Sequence, residues 1–149
     1  MPTQSQLNFL LERAKKETDS SSLQLAAAQK AVTHADSKLT ILLKYKEDYQ
    51  HQLGTTISNG TFGEQLRNFQ EFIGNIARAV DQQRNEVDRK KVVLKKAESN
   101  WREAQRVLQS YQTLTDRMTK QAKIVEEKRL QKENDEFATK SFLRTARGN

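Results

Sequence analysis

Apolar residues recur at alternating steps of three and four along most of the chain. Up to residue 53 the pattern runs through Leu7, Leu11, Ala14, Thr18, Ser21, Leu25, Ala28, Val32, Ala35, Leu39, Leu42, Lys46, Tyr49 and Leu53. It resumes at Leu66 and passes Phe69, Ile73, Ile76, Val80, Gln83, Val87, Lys90, Leu94, Ala97, Trp101, Ala104, Leu108, Tyr111, Thr115, Met118, Ala122 and Val125. Such spacing keeps one apolar stripe on one face of an α-helix. Two stripes of this kind bury each other as a coiled coil. Strands would alternate with period two, and no stretch does. Thr18, Ser21, Lys46, Gln83 and Lys90 are polar gaps that loosen the seam locally without ending it.

The two stripes are separated by the one stretch dense in turn residues, Gly54 to Gly63, with Asn59-Gly60 as its sharpest turn signal. Thr3-Gln4-Ser5-Gln6 and Thr61-Phe62-Gly63-Glu64 both fit a capping box at a helix start. Gly54 suits a left-handed residue just past the first helix. These signals predict helix 1 over about 4–53, a turn over about 54–61, helix 2 over about 62–140 and a frayed tail at 141–149. A short connection turns consecutive helices back on each other. The expected fold is all-α: one domain formed by a long antiparallel two-helix coiled-coil hairpin, helix 2 longer than helix 1. With the turn centred near Asn59, Tyr49 faces Phe69, Leu42 faces Ile76 and Leu7 faces Tyr111. At ~1.5 Å per residue the helices reach ~75 and ~115 Å. Helix 1 then runs out where helix 2 reaches about residue 115, so Met118, Ala122 and Val125 are left without a partner in the chain. That predicts self-association or a docking site.

Composition narrows the chemistry. Of 149 residues only 35% are hydrophobic and 30% are charged, which suits a narrow seam along helices better than a compact core. There is no Cys, hence neither a disulfide framework nor a thiolate metal site. No apolar run is long enough to cross a membrane, and no basic segment followed by an apolar one opens the chain, so no secretory signal and a cytosolic location are expected. His34 and His51 stand 17 positions apart without other ligands nearby. No glycine-rich phosphate loop is present. Acid–base catalysis needs a dry, shaped site that a two-helix rod does not form. The chain therefore reads as a non-enzyme with no cofactor and no metal.

Two features could carry binding instead. Five of the ten aromatic residues, Tyr45, Tyr49, Phe62, Phe69 and Phe72, fall within 28 positions around the turn. Leu42, Tyr45 and Tyr49 share one helical face, and Phe72, Ile76, Ala79 and Gln83 share another that the register sets beside it. Tyr45 and Phe72 flank the seam and should stay partly exposed, as anchors for a partner do. The second feature is charge. The formal net charge is +7, of which +6 lies in residues 61–149. A solvated helix surface, a nucleic-acid contact, and a basic helix end meeting an acidic protein groove all fit it. Acidic residues are interspersed and the basic runs lack interleaved aromatics, which argues against nucleic acid.

Several short motifs, in order and spacing, are similar to the FliJ family of bacterial flagellar export proteins. They are Lys44-Tyr45-Lys46-Glu47-Asp48-Tyr49, Asn59-Gly60, Asn68-Phe69-Gln70-Glu71-Phe72-Ile73, Asn100-Trp101-Arg102-Glu103, Tyr111-Gln112-Thr113-Leu114 with Asp116-Arg117, and Asp135-Glu136-Phe137-Ala138. The resemblance covers roughly residues 7–142. It implies a non-catalytic, central-stalk-like component of the flagellar type III export apparatus. Such a protein binds the hexameric export ATPase and promotes assembly of its ring. It also contacts the cytoplasmic domain of the membrane export gate and escorts export chaperones. Its implied place is the cytoplasmic side of the cell membrane at the flagellar base, without membrane insertion and without nucleic acid. The gate-binding face implied here is Lys38, Leu42, Tyr45, Tyr49, Phe72, Ile76, Ala79 and Gln83, with Lys38 and Gln83 departing from the family's pattern. The implied ATPase-binding end, where the termini meet, is Leu11, Arg13, Lys16, Met118, Lys123 and Arg129. The equivalent stalk of a virulence type III secretion system, a basic nucleic-acid-binding coiled coil and a passive homodimeric spacer are the rival readings.

Overall fold

The computed structural model describes residues 2–60 and 63–148. Among these it contains two helices and no strand: α1 (Gln4–Ser58) and α2 (Glu64–Arg147). No helix among the described residues is long and apolar enough to cross a membrane.

The start of α1 is the reciprocal cap that its sequence predicts. The Thr3 N–H donates to Gln6 Oε1 at 3.0 Å, and the Gln6 N–H donates to Thr3 Oγ1 at 3.1 Å. Two of the orphan amides of a helix start are thereby satisfied.

The other ends differ from expectation. Helix α1 continues past Gly54 to Ser58, because Gly54 adopts no left-handed conformation. Thr55 and Thr56 carry the helix on, with Thr55 Oγ1 donating to the His51 carbonyl at 3.1 Å. The left-handed residues are Gly60 (φ 79°) and Gly63 (φ 92°). Gly60 closes the end of α1 by donating its N–H to the Ile57 carbonyl at 3.0 Å. Thr61 and Phe62, half of the expected second capping box, lie outside the described residues. Helix α2 starts at Glu64, whose carboxylate suits the positive helix start. It also runs through the expected tail to Arg147. Arg144 and Arg147 face the negative helix end there, and the Gly148 N–H donates to the Arg144 carbonyl at 3.1 Å.

The chain divides into two units. The hairpin unit spans Asp19–Glu103. Its buried residues are Ala28, Ala35, Ile76, Val80, Val87 and Ala97, all seam positions of the predicted stripes. Val80 is 2% exposed and carries the best-packed side chain of this unit. Gln83 Nε2 donates to the Ala35 carbonyl at 3.0 Å, which reproduces the expected register. Lys46 and Lys90 stay half-buried, and the Lys90 ammonium reaches Glu86 at 3.5 Å.

The terminal unit joins the N-terminal segment up to Thr18 with the chain from Ala104 onward. Leu7 (1% exposed) and Ala14 are buried in it against a row of half-buried α2 residues that ends at Met118. Thr18 Oγ1 donates to the Ala14 carbonyl at 2.9 Å and reaches the Ala104 carbonyl at 3.3 Å. The polar gap at Thr18 thus carries no unmet hydrogen bond. From Thr119 to Gly148 every residue is exposed. Burial stops at Met118, and Ala122 and Val125 continue the stripe uncovered, as the difference in helix length requires.

Candidate functional site

A residue one position before a seam residue sits at the edge of a coiled-coil interface, neither inside nor fully outside. In the hairpin unit Tyr45 precedes Lys46 and Phe72 precedes Ile73. The two residues accordingly stay 53% and 45% exposed. Tyr49, at a seam position, is half-buried and meets Phe72 edge-on, with ring centroids 4.7 Å apart and planes at 63°. Edge-to-face packing of this kind directs the positive ring edge at the negative ring face. The ring contact therefore joins Tyr49 to Phe72, one turn along from the Phe69 that simple facing predicts. Phe69 fills a seam position itself and is half-buried.

In the register of the Gln83–Ala35 bond Tyr49 lies level with Phe69 and Leu42 with Ile76, and the Tyr49 ring reaches one turn along to Phe72. The eight residues of the implied gate-binding face all lie in the hairpin unit, on its two helices. They do not play equal parts. Ile76 is buried, and Leu42, Tyr49 and Ala79 are half-buried, so these shape the surface from beneath. Tyr45, Phe72 and Lys38 are exposed and available to a partner. Gln83 is turned inward by its bond to Ala35. One residue escaped the sequence reading: Ile41 is 52% exposed and lies one turn before Tyr45 on the same side. Its signal was an apolar residue outside the three–four stripe, four positions from a flanking aromatic.

The implied ATPase-binding residues all belong to the terminal unit. Leu11 is half-buried in the seam, while Arg13 and Lys16 are exposed. Met118 is the last half-buried residue of α2. By the register of the Thr18–Ala104 contact, Met118 is level with the start of α1. Lys123 and Arg129 therefore lie beyond it, and they do not gather with Leu11, Arg13 and Lys16 into one patch. Arg129 is not a spare cation. Its Nη2 meets Glu126 Oε1 at 2.6 Å and its Nη1 meets Glu133 Oε1 at 2.8 Å. The hydrogen bond from Arg129, with its charge, holds the Glu126 carboxyl below its ordinary pKa, and the same bond raises that of Arg129. The triad as a whole carries one negative charge. This was readable from Glu126 three before and Glu133 four after the arginine.

A few other basic residues of α2 are paired in the same manner. Arg89 meets Glu86 at 3.0 Å and Arg102 meets Glu98 at 4.0 Å, both well exposed. These pairs form the laced, solvated surface that interspersed charges produce.

Comparison with known proteins agrees with this geometry. The family described as the flagellar FliJ protein matches residues 3–147. The flagellar FliJ protein of Salmonella typhi is 32% identical over 138 residues, 93% of this chain and 94% of that protein. That of Escherichia coli K12 is 29% identical over the same shares. Among solved structures, CT670 from Chlamydia trachomatis, assigned as a YscO homolog, superposes with a TM-score of 0.68. The match covers 91% of this chain and 88% of that one at 17% identity, a likeness of fold.

Proposed function

Because this chain belongs to the flagellar FliJ protein family, components of flagellar type III export, we propose that it is the non-enzymatic stalk that links the export ATPase to the export gate. In this reading the terminal unit binds the hexameric ATPase and promotes assembly of its ring. The hairpin unit meets the cytoplasmic domain of the membrane gate, and export chaperones are escorted by the same protein. The protein works at the cytoplasmic side of the membrane, peripherally associated with it. Its contribution is positional: each unit offers a contact region of its own and performs no chemistry.

The observation that supports this most is the side of the hairpin unit where Tyr45 and Phe72 stay half exposed above a row of buried and half-buried neighbours. Aromatic rings held in place from below are good binding anchors, since little side-chain freedom remains to be lost when a partner covers them. At the terminal unit, the reading is supported by α2 running on from Met118 with Ile124, Val125 and Leu130 exposed. Lys123 and the segment before it supply positive charge there, whereas Arg129 is neutralised by its own helix.

Co-purification with the flagellar export ATPase tests the proposal, with hexamer yield as the readout. A rise in hexamer on adding this protein is expected. No association and no change in oligomer distribution would reject it.

A further inference from the structure

Gln83 occupies a seam position where a leucine would bury more apolar surface, so its presence calls for a reason. Its amide donates across the interface to the backbone carbonyl of Ala35 at 3.0 Å. A helix carbonyl has a second lone pair beyond the one its own helix uses, and can take such a bond. It is reachable here because Ala35 is small and itself 3% exposed, leaving no side chain in the way. One turn along α1 in either direction stand Val32 and Leu39, whose larger side chains cover the backbone. If α2 slid by a turn, the amide would be partly buried with no acceptor, and that penalty exceeds the modest net worth of the bond itself. The neighbouring layers, Leu39 with Val80 and Val32 with Val87, are apolar and tolerate other alignments, because apolar burial has no direction.

We infer that Gln83 is a positioning residue: its amide sets the register of the hairpin unit and, through that register, the offset that seats Phe72 on Tyr49. A single polar group in a coiled-coil seam is well suited to this role. The inference rests on the gate-binding reading only for its consequence, namely that Gln83 shapes the aromatic surface without touching the partner.

The test uses the full chain, whose lack of cysteine allows reporter pairs. Leu42→Cys with Ile76→Cys reports the native register, and Leu42→Cys with Val80→Cys reports a slip of one turn. In the Gln83→Leu background the native-to-slipped cross-linking ratio falls by at least about fivefold, the lower bound set by one net hydrogen bond. The ring-current shift of Tyr49, one of only three tyrosines, declines with it, while helicity and melting temperature hold or rise.

Gln83→Glu adds a pH readout. A carboxylate cannot donate to Ala35, but the protonated acid can, so the native register returns as pH falls through that carboxyl's titration. His34 and Lys38 of α1 and Glu86 and Lys90 of α2 line the same groove, and the wild-type protein over the same range reads their contribution. An unchanged cross-linking ratio in Gln83→Leu, or a flat pH profile in Gln83→Glu, overturns the inference. Binding to the purified cytoplasmic domain of the gate separates the two ideas. Loss of register with full gate affinity rejects the gate reading and leaves the pin. Loss of gate affinity with register intact makes Gln83 a contact and removes the pin.

Discussion

Replacing Phe72 by alanine removes two things at once: a ring packed on Tyr49 and surface offered to a partner. A fully buried Phe→Ala change costs about 3–5 kcal/mol. Phe72 is 45% exposed, so about half of that, ~2 kcal/mol, is expected from the folded chain. Tyr45 is 53% exposed and lies outside the edge-on ring pair, so Tyr45→Ala should cost ~1 kcal/mol, its remaining burial alone. The difference comes mainly from the pair at 4.7 Å. A double-mutant cycle with Tyr49→Ala isolates it, and a coupling of ~1 kcal/mol is expected for an edge-to-face contact. Urea unfolding followed by helical circular dichroism measures each corner. Additivity within ~0.3 kcal/mol would mean that the rings are neighbours without interaction, and the account of the face would fail. Binding gives the second axis. Both single variants should weaken capture of the gate's cytoplasmic domain while ATPase ring assembly is retained. Equal loss of both activities at unchanged helicity would refute the assignment of separate partners to separate units.

Three further outcomes follow from the same geometry. Val80→Ala deletes two methyl groups at a site 2% exposed, costing ~2 kcal/mol, and should speed amide exchange through the hairpin unit and spare the first turns of α1. Thr3→Ala removes the acceptor for the Gln6 N–H and should cost ~1 kcal/mol, visible as faster exchange at Gln6 and Leu7. Arg129 holds the Glu126 carboxyl below its ordinary pKa, so the pair's contribution is present above the ordinary carboxylate range and is lost as pH falls through the lowered folded value. A carboxyl NMR titration should return Glu126 to the ordinary range in Arg129→Gln, and a titration unchanged by that substitution would show the pair to be idle.

The heptad spacing alone determined the fold class and most of the seam. Each half-buried or buried α2 residue of the terminal unit falls on the predicted stripe or beside it, and burial ends at Met118 where counting residues says the shorter helix runs out. This worked because helix periodicity and apolar burial are local rules that act on residues three and four apart. The helix ends were less legible. Turn residues such as Gly54 permit a break without requiring one, and both helices ran on by several residues on local hydrogen bonds, α2 with its whole end exposed. The pairing of Arg129, by contrast, was legible, since its carboxylates stand at i−3 and i+4 on the same helix. Two facts needed the paired helices themselves, namely the Tyr49–Phe72 contact and the inward turn of Gln83. Both depend on the axial offset between α1 and α2, which an apolar stripe specifies only to within a turn. That offset is decided by side-chain shape and directional hydrogen bonding across the interface, and neither exists until the chain has folded back.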